Sequence, residues 1–209
     1  MKALVTTASQ QGATYGIAEA IGRRLRAEGL DTTVAPLDEI TDADEFDAFV
    51  IGSAIYTGHW LDQAIEFVQR FISVLSERPV WLFSSGPVGD PRRKLVQKMT
   101  ADPVELPQLL TVTKAVEHRI FAGKLVGKGL SGPRRLMLIM FRDLEGDWRD
   151  WRAIDEWACG IAAALTKQDR EATRPGRIAE AQHYPATEPR HPTELPQLQR
   201  GTTSIERGP

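Results

Sequence analysis

The chain has 209 residues, of which 42% are hydrophobic and 26% charged, with a net charge of −2. Those proportions describe a globular chain with a true hydrophobic core, and the near-neutral balance excludes nucleic-acid binding through bulk charge. One cysteine, Cys159, excludes an intramolecular disulfide and a cysteine-based zinc cluster.

Residues 2–7 form a short β-prone run that ends in a polar loop containing a glycine. A helix is expected from Thr14, with Ile17, Ala18, Ile21 and Leu25 on one face and Gly29 closing it. Residues 31–37 read as a second strand, and 47–53 (DAFVIGS) as a third with the apolar character of a strand covered on both faces. Residues 60–76 carry the clearest helical stripe, through Leu61, Ala64, Ile65, Val68, Phe71, Ile72 and Leu75. A fourth strand is expected at 79–84 (PVWLFS), a fifth at 111–121, and a last helix at about 150–165, where Cys159 reads as a buried packing residue.

Strands alternating with helices imply a parallel sheet with right-handed crossovers. The expected fold is α/β, a doubly wound sheet of five parallel strands in the order 2-1-3-4-5. Residues 86–142 exceed what a βαβ connection needs and read as a basic insertion before the last helix, inside a domain spanning 1–166. The segment 167–209 is rich in proline, lacks Trp and Phe, and is expected to be a disordered tail. The N-terminus turns polar too early for a signal peptide, and the longest apolar run, 136–141, is too short to span a bilayer. A cytoplasmic protein is the expectation.

In such a sheet a ligand sits beyond the carboxyl ends of the strands, where the strand order reverses. Three loops fall there. The first, TASQQGAT (7–14), combines hydroxyls, amides and a turn glycine with a helix start, the makings of an anion site. It matches neither GxxxxGK[ST] nor GxGxxG, and no Lys or Arg lies between Lys2 and Arg23, so neutral donors would hold the anion. Taken alone, the loop serves equally well as a simple helix cap. The second, SAIYTGHW (53–60), sets aromatic residues around Gly58, as a flat ring would require, although Trp60 suits the role of a staple for the next helix better. The third, SSGPVGD (84–90), offers hydroxyls and a Gly-Pro turn with no bulky side chain.

The ordered triplet TTASQQGATYGIAEAIGRRL, FDAFVIGSAIYTGHWLDQAIEFV and PVWLFSSGPVGD resembles the flavodoxin family. Over residues 1–165, including RRLMLIMFRDLEGDWRDWRAIDEWA, the chain is similar to flavodoxin-domain proteins of the menaquinone-dependent protoporphyrinogen oxidase type. That resemblance implies FMN as cofactor. Ser9, Gln10, Gln11, Gly12, Ala13 and Thr14 would hold its phosphate. Ser53, Ala54, Ile55, Tyr56, Thr57 and Gly58 would line one side of the ring, and Ser85, Gly86, Pro87 and Val88 its other edge. Where the family tends to place an aromatic directly before the second loop's glycine, this chain has Thr57, with Tyr56 one position earlier.

An enzyme and an electron carrier both fit this fold. The third loop has no aromatic, which leaves one ring face open to a substrate, and residues 86–142 hold eleven Lys or Arg against four acids. Such a basic segment suits an anionic substrate such as a carboxylated tetrapyrrole, or the anionic surface of a membrane. The RRLMLIMFR helix suits peripheral contact with lipid or a membrane quinone, and equally an ordinary core helix. The resemblance thus implies a quinone-coupled, protoporphyrinogen-oxidase-like enzyme of heme biosynthesis; the alternative is a carrier without its own substrate. His59 and His118 are the domain's two proton-handling candidates, each also suited to a bland structural role. The four histidines are too scattered for a metal site. A phospho-receiver domain of similar topology is excluded, because Thr6–Thr7 and Gly52–Ser53 stand where its carboxylates would be. The sequence is silent on oligomeric state, and a binding module without flavin stays open.

Overall fold

The computed structural model describes residues 1–10, 12–86, 102–125 and 146–172. In chain order the elements are β1 (Lys2–Ala8), α1 (Ala13–Ala27), β2 (Asp31–Pro36), a 3-10 turn (Leu37–Glu39), β3 (Ala48–Tyr56), β4 (His59–Trp60) and α2 (Asp62–Arg70). There follow α3 (Ile72–Leu75), β5 (Val80–Ser85), α4 (Leu106–Thr113), β6 (Glu117–Phe121), β7 (Lys124–Leu125), β8 (Gly146–Asp147) and α5 (Trp151–Ala172). The main sheet runs β2-β1-β3-β5-β6, with every neighbouring pair parallel. With the short hairpin strand β4 set aside, this is the expected order 2-1-3-4-5.

Side chains alternate across each strand, so the sheet has two apolar faces and each needs a cover. Leu4, Phe49, Ile51 and Leu82 face Ala64, Phe67 and Val68 of α2, Leu75 of α3, and Leu106 and Leu109 of α4. Ala3, Val5, Val50, Trp81 and Phe83 face Ile17, Ile21 and Leu25 of α1 and Ile154, Trp157 and Ile161 of α5. On that second face Phe83, Phe121 and Trp157 meet at tilted or edge-on angles, with centroids 5.5–6.3 Å apart.

Four expectations are corrected. The fifth strand starts at Glu117, not at 111, because residues 106–113 are helical. Thr111 and Thr113 look β-prone, but their hydroxyls donate to the Pro107 and Leu109 carbonyls at 2.8 and 2.7 Å. Leu106 and Leu109 are then buried at helical spacing, and Pro107 sits in the first turn, where its missing N–H costs nothing. The helix expected at 60–76 is interrupted: Trp60 belongs to β4, and Phe71 leaves helical geometry between α2 and α3. The last helix continues past 165 to Ala172, so the domain outlasts its expected end at 166. Cys159 is half-buried, one step off the Ala158–Ala162 stripe, with its sulfur 4.0 Å from Glu28 Oε1. The compact unit is Met1–Thr173. The tail from 173 onward and most of the basic insertion, including RRLMLIMFR, lie outside the described residues.

Candidate functional site

Register brings the three loops together. Ala8 pairs with Ser53, Ser53 with Ser84, and Ala54 with Ser85, so β1 and β5 end within one residue of each other along β3, which runs on to Tyr56. The chain leaves each of them at the edge where the strand order reverses, the place such sheets use for ligands.

The first loop leads into α1 through Gly12, whose φ of 74° is left-handed backbone that glycine adopts without strain. The first helical hydrogen bond runs from the Gly16 N–H to the Gly12 carbonyl, at 3.0 Å. Among the described residues no side chain caps the helix, and its first turn carries no acidic residue. The opening amides and the positive end of the helix dipole therefore remain available to an anion. Ser9 and Ala13 are half-buried, Gln10 and Gly12 exposed, and Thr14 only 1% exposed; Gln11 lies outside the described residues. Arg149, far along the chain, donates from Nη1 to the Ala13 carbonyl at 3.2 Å.

The second loop is mostly strand and turn. β3 runs on to Tyr56, which pairs with His59 across Thr57 and Gly58, both at positive φ (51° and 85°). Positive φ at both turn residues matches the twist of a two-residue hairpin. Thr57 thus takes the first position of the turn, and Tyr56 is the last residue of β3. Tyr56 is 37% exposed and faces outward, while Trp60 is buried. The indole N–H of Trp60 donates to Ser84 Oγ at 2.8 Å, so Trp60 staples the hairpin to the sheet and offers no surface to a ring. The Ser53 hydroxyl is also engaged within the fold: it accepts the Leu61 N–H and donates to the Ala54 carbonyl, both at 3.0 Å. Ala54 and Ile55 are half-buried beside it.

At the third loop Ser85 and Gly86 are buried, and the Gly86 N–H donates to the Phe121 carbonyl at 2.9 Å. A Cβ on Gly86 would lie 3.6 Å from Ile55 Cβ, so the second and third loops are in contact. Pro87 and Val88 lie outside the described residues.

The two histidines occupy different settings. His59 is exposed, with Nδ1 2.6 Å from Glu105 Oε1, while Glu105 Oε2 accepts the Trp60 N–H at 3.1 Å. Burial pushes the Glu105 carboxyl up, but the bonds from His59 and Trp60 outweigh it and hold the group below its ordinary range. His118, on β6, meets the first residue of the third loop from within the fold. Its side chain is 7% exposed, with Nε2 2.8 Å from Ser84 Oγ and Nδ1 3.9 Å from Asp102 Oδ1. Burial lowers its pKa, against the opposing pull of Asp102 and Glu117. A neutral His118 therefore accepts the Ser84 hydroxyl proton, while Ser84 accepts the Trp60 indole N–H. Glu105 and Arg149 escaped the sequence reading. The one available signal was Gly16, a glycine inside a helix with no turn to explain it. Among the described residues no group of three His, Cys, Asp or Glu could hold a metal ion, and no helix is long and apolar enough to cross a membrane.

A flavodoxin-domain family model matches residues 4–150. The chain belongs to the flavodoxin domain family. Two solved structures share the fold: a flavodoxin from the domain Archaea and a cysteine-to-serine mutant of the flavodoxin from Pseudomonas aeruginosa. The first is 17% identical with a TM-score of 0.55, the second 15% with 0.51, and each match covers 79% of this chain and 99% of the other. Membership implies FMN as the cofactor, and the residues at these strand ends fit it. The uncapped α1 suits the phosphate, and exposed Tyr56 suits the ring. Among the described residues, and apart from chain neighbours, no atom lies within 4 Å of where a Cβ would stand on Gly12 or Gly58, so the backbone there is open to close approach on that side.

Proposed function

We propose that this flavodoxin-domain electron-transfer protein is an FMN-dependent oxidoreductase that takes two electrons from a small anionic substrate and passes them to a quinone. The observation carrying this reading is the one-sided supply of aromatics. Tyr56 is the exposed aromatic of the hairpin, and no aromatic occurs from Ser85 to Ile120 in the sequence. A carrier stacks aromatics on both ring faces; here one face is left for a substrate. Bound FMN supplies the two-electron exchange, and the protein supplies binding, orientation and charge.

In that scheme Ser9, Gln10, Gln11, Gly12, Ala13 and Thr14 hold the phosphate through amides and hydroxyls. Tyr56 covers one ring face, with Ala54, Ile55, Thr57 and Gly58 shaping that side, and Ser85 to Val88 border the other edge. His59 stands beside Tyr56 with Nδ1 engaged by Glu105, which leaves Nε2 able to carry a proton at the site's rim. The basic composition of 86–142 supports an anionic substrate, and a carboxylated tetrapyrrole in the manner of protoporphyrinogen meets that requirement. The protein would work in the cytoplasm and meet a membrane quinone peripherally.

The test is an anaerobic mixture of the FMN-loaded protein with protoporphyrinogen, followed by a soluble menaquinone analogue. Bleaching of the flavin absorbance by the first and its recovery with the second are expected. Lack of bleaching, together with reductive titration in two separate one-electron steps, would replace the enzyme with a carrier.

A further inference from the structure

Arg149 lies just ahead of α5, 136 positions from the residue it reaches in the first loop. Its side chain is 9% exposed. Nε donates to Asp147 Oδ1 at 2.7 Å, Nη2 to Asp147 Oδ2, and Nη1 to the Ala13 carbonyl at 3.2 Å. The guanidinium lies over the Trp151 ring, with Cζ 4.3 Å from the centroid. A Cβ on Gly16 would come within 2.7 Å of Nη1.

A carboxylate, an aromatic face and a missing Cβ thus make one niche for a planar cation against the opening turn of α1. A glycine inside a helix is unfavourable relative to alanine, and the space at Gly16 is what admits the guanidinium. Arg149 holds the Asp147 carboxyl below its ordinary range, chiefly by donating to it, so the pair stays ionised wherever the protein is folded near neutral pH.

We infer that Arg149 is a positioning residue for the phosphate end of the flavin site, which makes the protein select flavin that carries a phosphate over flavin that does not. Arg149 fixes the first turn of α1, so the amides that receive the phosphate are held in place. Riboflavin, which lacks the phosphate, draws on the ring loops alone and is indifferent to Arg149. The inference rests on the flavin reading of the site.

Wild-type protein, Arg149→Met, Arg149→Lys and Gly16→Ala are each titrated with FMN and with riboflavin, following flavin fluorescence. Arg149→Met should weaken FMN about tenfold, the scale of one lost charge-assisted contact, while riboflavin changes less than about twofold. Gly16→Ala keeps every donor and favours the helix but displaces the guanidinium, so it should reproduce the split even if Arg149→Met folds poorly. Arg149→Lys keeps the charge without the fork and should fall between. Equal losses for both flavins, or no loss for either, would overturn the role of Arg149. A wild-type protein that binds neither flavin would overturn the flavin reading itself, and that failure appears before any variant is made.

Discussion

At the proposed phosphate end, backbone amides and short hydroxyls are the donors on offer, and Arg149 is the long side chain that reaches that loop from elsewhere in the chain. At the ring end, a hairpin is tied down by connected side chains. Glu105 holds His59 and Trp60, the Trp60 indole holds Ser84, and Ser84 meets His118. The difference follows from what each end meets. A phosphate needs N–H donors at fixed angles, which a helix start supplies without side chains. A flat ring needs a rigid wall, and a two-residue hairpin projecting from a sheet edge is rigid only if packed from behind. Damage at the two ends should therefore read out differently: affinity for the phosphate at one, stability and ring geometry at the other.

The largest effect is expected from Trp60→Ala. It removes a buried indole and leaves Ser84 short of a donor, costing about 3–5 kcal/mol of folding stability by the usual scale for such truncations. Urea unfolding of the apo-protein measures it, and a loss below about 1 kcal/mol would mean the hairpin does not depend on its staple.

Second is the joint change Ser9→Ala with Thr14→Ala, which strikes the opposite end. FMN should be retained more weakly through lost hydroxyl bonds to a charged group, each worth on the order of 1.5–3 kcal/mol, with riboflavin little affected. Unchanged FMN affinity by isothermal titration would place the phosphate elsewhere.

Gly58→Val comes third. A β-branched residue at φ 85° costs about 1–2 kcal/mol and should distort the hairpin. Its expected signature is an altered near-ultraviolet dichroism of Trp60 and weaker binding of FMN and riboflavin alike.

The smallest effect is a pH dependence carried by His118. Because burial lowers its folded pKa below the ordinary histidine value, the unfolded chain takes up the proton first. Stability is therefore complete above the ordinary value of about 6.5 and declines as pH falls below it toward the folded value. His118→Gln should flatten the melting temperature between about pH 7 and 5 relative to wild type. Asp102 and Glu117, which pull the other way, keep the effect small.

Much of this site could be read from residue types and their spacing. Ile17, Ile21 and Leu25 announced α1, and Gly12 in the polar loop ahead of it announced the turn into that helix. The apolar run at Val50 and Ile51 announced a central strand. The failures share a cause, because in each the deciding contact is long-range or runs against local propensity. Thr111 and Thr113 favour a strand until their hydroxyls find helical carbonyls. Thr57 is not a residue that advertises a left-handed turn, so the hairpin passed for a loop. His118 stood in the sequence as a candidate proton carrier, and only the pairing of β5 with β6 brings it against Ser84 and the Trp60 staple. Arg149 reaches Ala13 only because α1 and α5 pack on the same face of the sheet, which no local pattern encodes.

The central claim is that the three strand ends form one FMN site, and the most direct measurement is a visible absorbance titration of the purified protein with FMN. The account predicts a shifted, resolved flavin band that saturates at one FMN per chain. Free-flavin spectra throughout, with no saturation, would contradict it.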